Sequence, residues 1–246
     1  MEHHGHHFRR LSVVFALGLL LAAGSARAES PDMRIRKKLI ATGWDRPDSQ
    51  WLLANLAEME KRPFDGVMLE VTGRTAEGKP CPLREAFSNQ KWQRAWFQTN
   101  VNQLRACKFT RFTDNFITIG ANPGNADWFD DEGWQRIVEH WRIAAWFAKQ
   151  SGLKGLLFDP EPYTPPHSQF SYAAQPGHVL HGFDEYAVKA RERGRQVMQA
   201  VVEEYPEITM FCYFMNSVSA TATGRRPTSA AWSGFGWITS TSGPTA

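Results

Sequence analysis

Short apolar segments alternate with longer amphipathic stretches along most of this chain, and that alternation constrains the fold more than any other feature. Parallel strands buried on both faces are continuously apolar, whereas surface helices repeat apolar residues about every 3.6 positions. The apolar segments are KLIAT (38–42), FDGVMLEV (64–71), NFITI (115–119), LKGLLF (153–158) and ITMFCYF (208–214). Because amphipathic stretches separate them, the sequence predicts parallel βα units in an α/β fold.

Four helices are predicted between these strands. Asp48 is placed to cap the first, whose apolar positions follow helical spacing and which Pro63 stops. The second is expected from about 89 to 106. The third opens at Asp130 and Asp131, where acidic groups favour a helix N-terminus, and ends at Ser151-Gly152. The fourth begins at Phe183 or Asp184.

Such units close either as a doubly wound sheet or as a (β/α)8 barrel. No G-x-G-x-x-G follows the first strand, so a dinucleotide-binding sheet lacks its signature. Polar and aromatic residues recur where the strands end, and barrels gather functional groups at that rim. These residues are Trp44, Asp45, Glu70, Thr72, Asn122, Asp159, Glu161 and Asn216. We therefore expect a TIM-barrel type.

The spacing of the strands predicts an incomplete barrel. The mean step between strand starts is about 42 residues, so eight units would need about 340 residues. Only 30 residues follow Asn216, and they are rich in Ser, Thr, Ala and Gly. We expect a barrel domain over 29–216, truncated after about five βα units, and a poorly ordered tail over 217–246. A smaller complete α/β fold is the alternative.

Residues 1–28 have the layout of a secretory signal peptide. Arg9 and Arg10 precede an apolar run, and Ala26-Arg27-Ala28 forms an A-x-A cleavage site. The run is too short to span a membrane comfortably. We expect a secreted or periplasmic protein that begins at Glu29 and has no membrane segment after cleavage. Beyond residue 28 there are 25 basic and 24 acidic side chains, a balance that does not favour a nucleic-acid partner.

Three widely spaced cysteines show no C-x-x-C pattern. Export would permit one disulfide, for which Cys81 and Cys107 are candidates. Cys212 lies in an apolar run and is expected to be a buried free thiol. The pairing stays open at this stage, as does the oligomeric state.

The segment Asp159-Pro160-Glu161-Pro162-Tyr163 is the sharpest chemical feature. Strand side chains alternate, so Asp159 and Glu161 should point the same way, about 6–7 Å apart. Neighbouring carboxylates repel each other's charge, so one can stay protonated near neutral pH. Glycoside hydrolysis needs such an acid beside the leaving oxygen. A structural role, as a helix cap or an arginine partner, is the alternative.

A strand that ends in D-x-E before an aromatic residue resembles the fourth strand of family-18 chitinase-type barrels and the corresponding strand of family-25 lysozymes. The resemblance implies that Glu161 is the acid and that Asp159 orients the acetamido group of the substrate. The fuller chitinase run would have another Asp where Leu157 stands. More broadly, G-W-D-x-P at 43–47 and M-E-x-R-P-F-D-G at 59–66 look like secreted barrel proteins grouped loosely with glycosidases.

Further residues complete the expected site. Glu70 is a third catalytic candidate, and otherwise an ion-pair partner. Flat rings at the rim could stack on sugars. The expected substrate-binding residues are Trp44, Asp45, Asn122, Trp128, Tyr163 and Tyr213. The tryptophans within helices, by contrast, are expected in the core.

The sequence therefore predicts a glycoside hydrolase that acts on a polysaccharide or oligosaccharide without a cofactor or resident metal. A non-catalytic carbohydrate-binding barrel is one alternative. A metal-dependent hydrolase is another, because His167, His178 and His181 follow Glu161 and could join Asp159 and Glu161 in a metal site. The sequence has no G-x-S-x-G elbow, so a serine hydrolase of the α/β type is disfavoured.

Overall fold

The computed structural model describes residues 37–43 and 45–213. The chain divides into a unit of residues 1–37 and a unit that begins at Lys38, and every element below belongs to the second unit. The expected signal peptide (1–28), Trp44, Asn216 and the expected tail (217–246) lie outside the described residues.

Strands and helices alternate through the described part of the chain, with a short hairpin inserted after the second strand. In order they are β1 (Ile40–Ala41), α1 (Ser49–Met59), β2 (Gly66–Leu69), β3 (Thr72–Arg74), β4 (Pro80–Pro82), α2 (Gln98–Ala106, after a 3-10 turn at Arg94–Phe97), β5 (Phe116–Gly120), α3 (Asp131–Gln150), β6 (Gly155–Asp159), α4 (Phe183–Glu204) and β7 (Thr209–Cys212).

Five strands form one parallel sheet in the order β1-β2-β5-β6-β7. This order follows the chain without a reversal, and right-handed crossovers then place every helix on the same face. A doubly wound sheet reverses its strand order, and the strands described here show no such reversal. The sheet curls into a half-barrel, which confirms the α/β class.

The two faces of the sheet carry different side chains. Alternate residues such as Leu69, Ile117 and Phe158 join the main core with the helices, and all are buried. The intervening residues of the same strands form a small second cluster on the opposite, inner face. This inner cluster consists of Met68, Phe116 and Leu157, with Ile40 and Tyr213 packed against it. Because side chains alternate along a strand, Thr118 and Asp159 also lie on this inner face, nearer the C-terminal ends of β5 and β6.

Helix caps match the sequence signals. The Asp48 carboxylate accepts the Trp51 N–H at 2.7 Å and begins α1, and Asp130 accepts the Gly133 N–H at 3.0 Å and begins α3. The core tryptophans of α3, Trp134 and Trp141, are buried as expected. Trp51 differs, because its side chain is 51% exposed on the outer side of α1.

The structure differs from the sequence expectation most clearly after β2. The expected loop folds back as an antiparallel hairpin, in which Thr72 pairs with Pro82. Gly78 has a φ of 79° in its turn, a conformation that other residues seldom adopt. The helix expected from 89 begins only after an irregular stretch that buries Trp92 against His140. Strands of three residues are too short to show an alternating pattern, which is why the hairpin was not predicted.

All three cysteines are free thiols, so the Cys81–Cys107 disulfide considered above does not form. Burial raises the pKa of Cys81 to about 12, and Cys107 is also buried. Cys212 is only partly buried. Over the described residues, no helix combines the length and the apolar character needed to cross a membrane.

Candidate active site

Asp159 is the last residue of β6 and lies at the C-terminal end of the sheet. It is 3% exposed and stands opposite Gly120 of β5 in the parallel register. Its backbone carbonyl accepts the Ala121 N–H at 3.3 Å, so pairing with β5 continues to the strand end. A carboxyl group is thereby fixed at the edge where parallel barrels hold their functional groups.

The turn after Asp159 returns the chain towards the same carboxyl. The Glu161 N–H donates to Asp159 Oδ1 at 3.2 Å, an Asx-type contact that organises the turn. Pro160 and Pro162 have no N–H, so neither competes for that oxygen. The Tyr163 side chain then folds back over the turn.

The Tyr163 hydroxyl contacts both carboxyls at once. It lies 2.9 Å from Asp159 Oδ2 and 2.5 Å from Glu161 Oε2. The sequence predicted that these two carboxyls share one side of a strand end. The structure brings them together on one hydroxyl, a link that residue spacing could not reveal.

Two arginines surround this group, and sequence reasoning missed both. The Arg84 guanidinium lies 5.0 Å from the centroid of the Tyr163 ring, and its Nη1 is 3.2 Å from Glu70 Oε1. Arg46, just after β1, is 3.7 Å from Glu70 Oε2 and donates to Thr118 Oγ1 at 3.4 Å. Arg46 could have been found from its place at a strand end, like the other rim residues.

Gly120 allows the segment that bears Arg84 to cross the end of β5. A Cβ at position 120 would lie only 2.6 Å from the Arg84 carbonyl oxygen. Asn122 then fixes that carbonyl, since its backbone N–H and its side-chain Nδ2 both donate to it at 3.3 Å. No motif in the sequence marks Arg84, because its position depends on the β3–β4 hairpin.

Burial raises the pKa of Asp159 above its ordinary value of 3.8, and the negative charge of Glu161 acts in the same direction. When Asp159 is ionised, the Glu161 N–H, the Tyr163 hydroxyl and the positive charge of Arg46 stabilise its charge and oppose that rise. Burial and the two carboxyls also raise the pKa of Tyr163 above its usual range, so its hydroxyl stays protonated. Cys212 of β7 has its pKa raised to about 12 by burial and by the charge of Asp159.

The expected substrate-binding residues fall into different environments. Asp45 is exposed at the rim, and the Tyr163 ring is 37% exposed beside the carboxyls. Asn122 is buried, and it binds the Arg84 carbonyl as described above. Tyr213 places its hydroxyl 2.9 Å from Thr42 Oγ1, on the inner side of the sheet. Trp44 lies outside the described residues.

Trp128 differs from the sugar platform that the sequence suggested. It is 1% exposed, with its ring 4.7 Å from Trp134 and its Nε1 donating to the Gln169 carbonyl at 3.2 Å. Its faces are covered by core aromatic residues, so no sugar can stack on them in this arrangement.

Glu70, the third catalytic candidate, is the carboxylate that both arginines share. Its side chain is 31% exposed. By strand alternation it lies on the same face as Met68, Thr118 and Asp159. Glu70 therefore faces the same rim as the carboxyl pair and is connected to it through Arg84 and Tyr163.

The loop histidines do not form a metal site with these carboxyls. His178 Nδ1 is 2.6 Å from the Gln175 carbonyl oxygen, and the His181 ring stacks on Phe129 at 3.9 Å. No group of three or more His, Cys, Asp or Glu side chains in the described part of the chain is arranged to hold a metal ion.

A groove of about 1110 Å³ runs between β1 and α1, with Asp45 and Arg46 in its wall. Neither Asp159, Glu161 nor Tyr163 lines it. Arg46 lines this groove, and its charge also acts on Asp159.

Comparison of the chain with protein-family models, with curated proteins and with solved structures gave no match in any of the three. The geometry of the site therefore carries the functional argument.

Proposed function

We propose that this protein is a glycoside hydrolase that cleaves a polysaccharide or oligosaccharide by carboxylate general acid/base catalysis. The observation that carries the proposal is the contact of one tyrosine hydroxyl with two carboxyls, one of them buried, at the C-terminal end of a parallel sheet. A carboxyl pair of this kind can keep a proton near neutral pH, which the leaving oxygen of a glycoside requires.

Glu161 is the acid in this proposal. It is the more exposed of the two carboxyls and so can reach a bound substrate, whereas Asp159 is buried behind it. Asp159 positions the turn through the Glu161 N–H. Glu70, which pairs with Arg84 and Arg46, would stabilise the positive charge developing on the sugar ring.

We also propose that the half-barrel belongs to a (β/α)8 architecture. The unreversed strand order and the placement of every described helix on one face support this type. The inner face then corresponds to a barrel interior, and the rim that holds Asp159 to its catalytic end. Export to the periplasm or the medium, inferred from residues 1–28, agrees with an extracellular carbohydrate substrate.

A non-catalytic carbohydrate-binding barrel is the second candidate. It is favoured by the exposed ring of Tyr163 and by the two arginines that offset the charge of Glu70. Such a protein would keep the stacking surface and bind glycans without cleaving them.

A panel of polysaccharides incubated with the full chain distinguishes the candidates. The proposal predicts new reducing ends from at least one glycan, unchanged by a metal chelator and lost in Glu161→Gln. Binding without new reducing ends would favour the binding barrel. Hydrolysis abolished by the chelator would instead favour a metal-dependent hydrolase.

A further inference from the structure

The Tyr163 hydroxyl has one proton but two carboxyl contacts. Its oxygen is 2.9 Å from Asp159 Oδ2 and 2.5 Å from Glu161 Oε2. A hydroxyl donates one hydrogen bond and otherwise accepts. If both carboxyls were ionised, one of these contacts would set lone pair against lone pair. One hydroxyl hydrogen shared between two carboxylates makes two weak bonds, whereas a second proton on one of the carboxyls gives each contact a hydrogen of its own.

The surroundings indicate which carboxyl holds that proton. Asp159 is 3% exposed, and burial penalises its charged form, whereas Glu161 is only half-buried. The Tyr163 hydroxyl lies within hydrogen-bond distance of both, so it can accept from the buried carboxyl and donate to the exposed one. Burial therefore favours Asp159 as the carboxyl that holds the second proton.

We propose that Tyr163 is a positioning residue that relays a proton from Asp159, where it is stored, to Glu161, where it is used. In the resting site Asp159 donates to the Tyr163 oxygen and Tyr163 donates to Glu161. The catalytic meaning of this relay rests on the glycosidase proposal above, but the proton arrangement itself does not.

The relay balances in protons and charge. The Asp159 O–H bond breaks as a new Tyr163 O–H bond forms, while the original Tyr163 hydroxyl proton passes to Glu161. Glu161 then gives this proton to the glycosidic oxygen, which receives the electron pair of the breaking C–O bond. Tyr163 ends neutral, and Asp159 and Glu161 end as carboxylates. A water molecule then gives its hydroxyl to the sugar carbon and its proton to Asp159, which restores the resting state.

The groups around Asp159 can accommodate it both with its proton and after the proton has left. Glu161 and Tyr163 face it from its own turn, Arg46 from the segment after β1, and Cys212 from β7. The Glu161 N–H and the charge of Arg46 can stabilise Asp159 once it has lost its proton. Arg84 lies over the Tyr163 ring and holds the hydroxyl between the two carboxyls.

The test is a pH titration of the full chain labelled with ¹³C at Asp and Glu side-chain carboxyls, followed by NMR. A hydroxyl that accepts from Asp159 raises its pKa, so Tyr163→Phe should lower the pKa of Asp159 by about one pH unit. If Tyr163 merely donates to an ionised Asp159, the same variant should raise it, and that result would overturn the proposal. Unchanged titration would also overturn it.

Tyr205→Phe is the matched control. This tyrosine is also partly buried and donates to a single acceptor, the Leu153 carbonyl at 3.1 Å, at the opposite end of the sheet. Its removal should leave the titration of Asp159 unchanged.

If Tyr163→Phe does not fold, Asp159→Asn tests whether Asp159 carries the proton. An Asn amide can donate to the Tyr163 oxygen as a protonated Asp159 would, so this variant should keep the wild-type free energy of unfolding at pH 7 or exceed it. A clear loss would contradict the proposal. These measurements need no substrate, so a chain that cleaves no glycan can still support the relay, and an active enzyme can still refute it.

Discussion

The Arg84 guanidinium lies 5.0 Å from the centroid of the Tyr163 ring, and the same side chain contacts Glu70 at 3.2 Å. This one arginine therefore links the end of β2 to the carboxyl pair at the end of β6. Cation–π contacts at partly exposed sites contribute about 0.5–1 kcal/mol. The larger consequence is geometric, because Arg84 restricts where the ring and its hydroxyl can lie.

Replacing Arg84 by Gln should therefore lower catalysis more than stability. Hydrolysis should fall by about 10- to 100-fold, since small displacements of catalytic groups cost that much. The free energy of unfolding should change by less than about 1 kcal/mol, as is usual for partly exposed ion pairs. Steady-state kinetics and urea denaturation measure the two effects.

Arg94→Gln provides a matched control for that variant. Arg94 lies 5.4 Å from the Trp146 ring and contacts Glu204 at 2.7 Å, the same two kinds of contact away from the rim. It should affect stability to a similar extent and leave hydrolysis unchanged. Equal losses of activity in both variants would remove Arg84 from the site.

The raised pKa of Asp159 predicts a pH dependence of stability. An acid whose pKa is raised on folding binds protons more tightly in the folded state, so the protein loses stability as pH rises from the unfolded pKa to the folded pKa. Asp159→Asn cannot titrate and should escape this loss. Urea denaturation should show that the free energy of unfolding of the variant rises relative to that of the wild type from about pH 4 upward.

Other carboxyls change both proteins equally, so the difference between them isolates Asp159. If the wild type instead became more stable relative to Asp159→Asn over this range, the folded state would favour the ionised carboxyl. The buried acid, and with it the proton store, would then be ruled out.

Glu60 predicts a dependence of the opposite sign. It follows α1 and accepts the N–H groups of Thr110, Arg111 and Phe112, each at 2.9 Å, and the Thr110 hydroxyl. Burial opposes ionisation, but these hydrogen bonds outweigh it and lower the pKa of Glu60 below 4.5. The stability that they contribute is present above the unfolded pKa and is lost as pH falls through the folded pKa.

Glu60→Gln should therefore cost about 1–2 kcal/mol at pH 7, measured by urea denaturation, because an amide oxygen replaces a charged acceptor at a partly solvated site. The cost should shrink as the pH falls below 4. Glu58→Gln, which removes an exposed ion pair with Lys61, should have little effect at any pH. A similar loss in both variants would contradict the capping role of Glu60.

The sequence predicted the parallel sheet because each main strand is a compact apolar run between helix signals such as Asp48 and Asp130. It did not predict the β3–β4 hairpin, whose strands are three residues long, and it therefore missed Arg84, which the hairpin carries to the rim. The D-P-E-P-Y segment indicated the two carboxyls. Their contact with Tyr163 depends on how the turn folds back, which side-chain alternation cannot describe. Trp128 was expected at the rim because the sequence does not reveal its packing partners, such as Trp134, which only the fold brings against it.

The kinetics of Glu161→Gln test the central claim most directly. The substitution keeps the shape of the side chain but removes the carboxyl group that passes a proton to the leaving oxygen. Hydrolysis of an unactivated glycoside should fall by about 10²–10⁴, the usual contribution of general acid catalysis. An aryl glycoside whose leaving group needs no protonation should lose much less. Asp159→Asn should likewise slow the unactivated glycoside more than the aryl glycoside, because it removes the stored proton.

Glu203→Gln, near the C-terminal end of α4, is the control and should match the wild type on both substrates. The decisive quantity is the ratio of the two kcat/KM losses in Glu161→Gln. A loss on the unactivated glycoside at least tenfold greater than that on the aryl glycoside is the result that a general acid at Glu161 predicts. Equal and small losses on both substrates would contradict it and leave the carbohydrate-binding barrel as the better account.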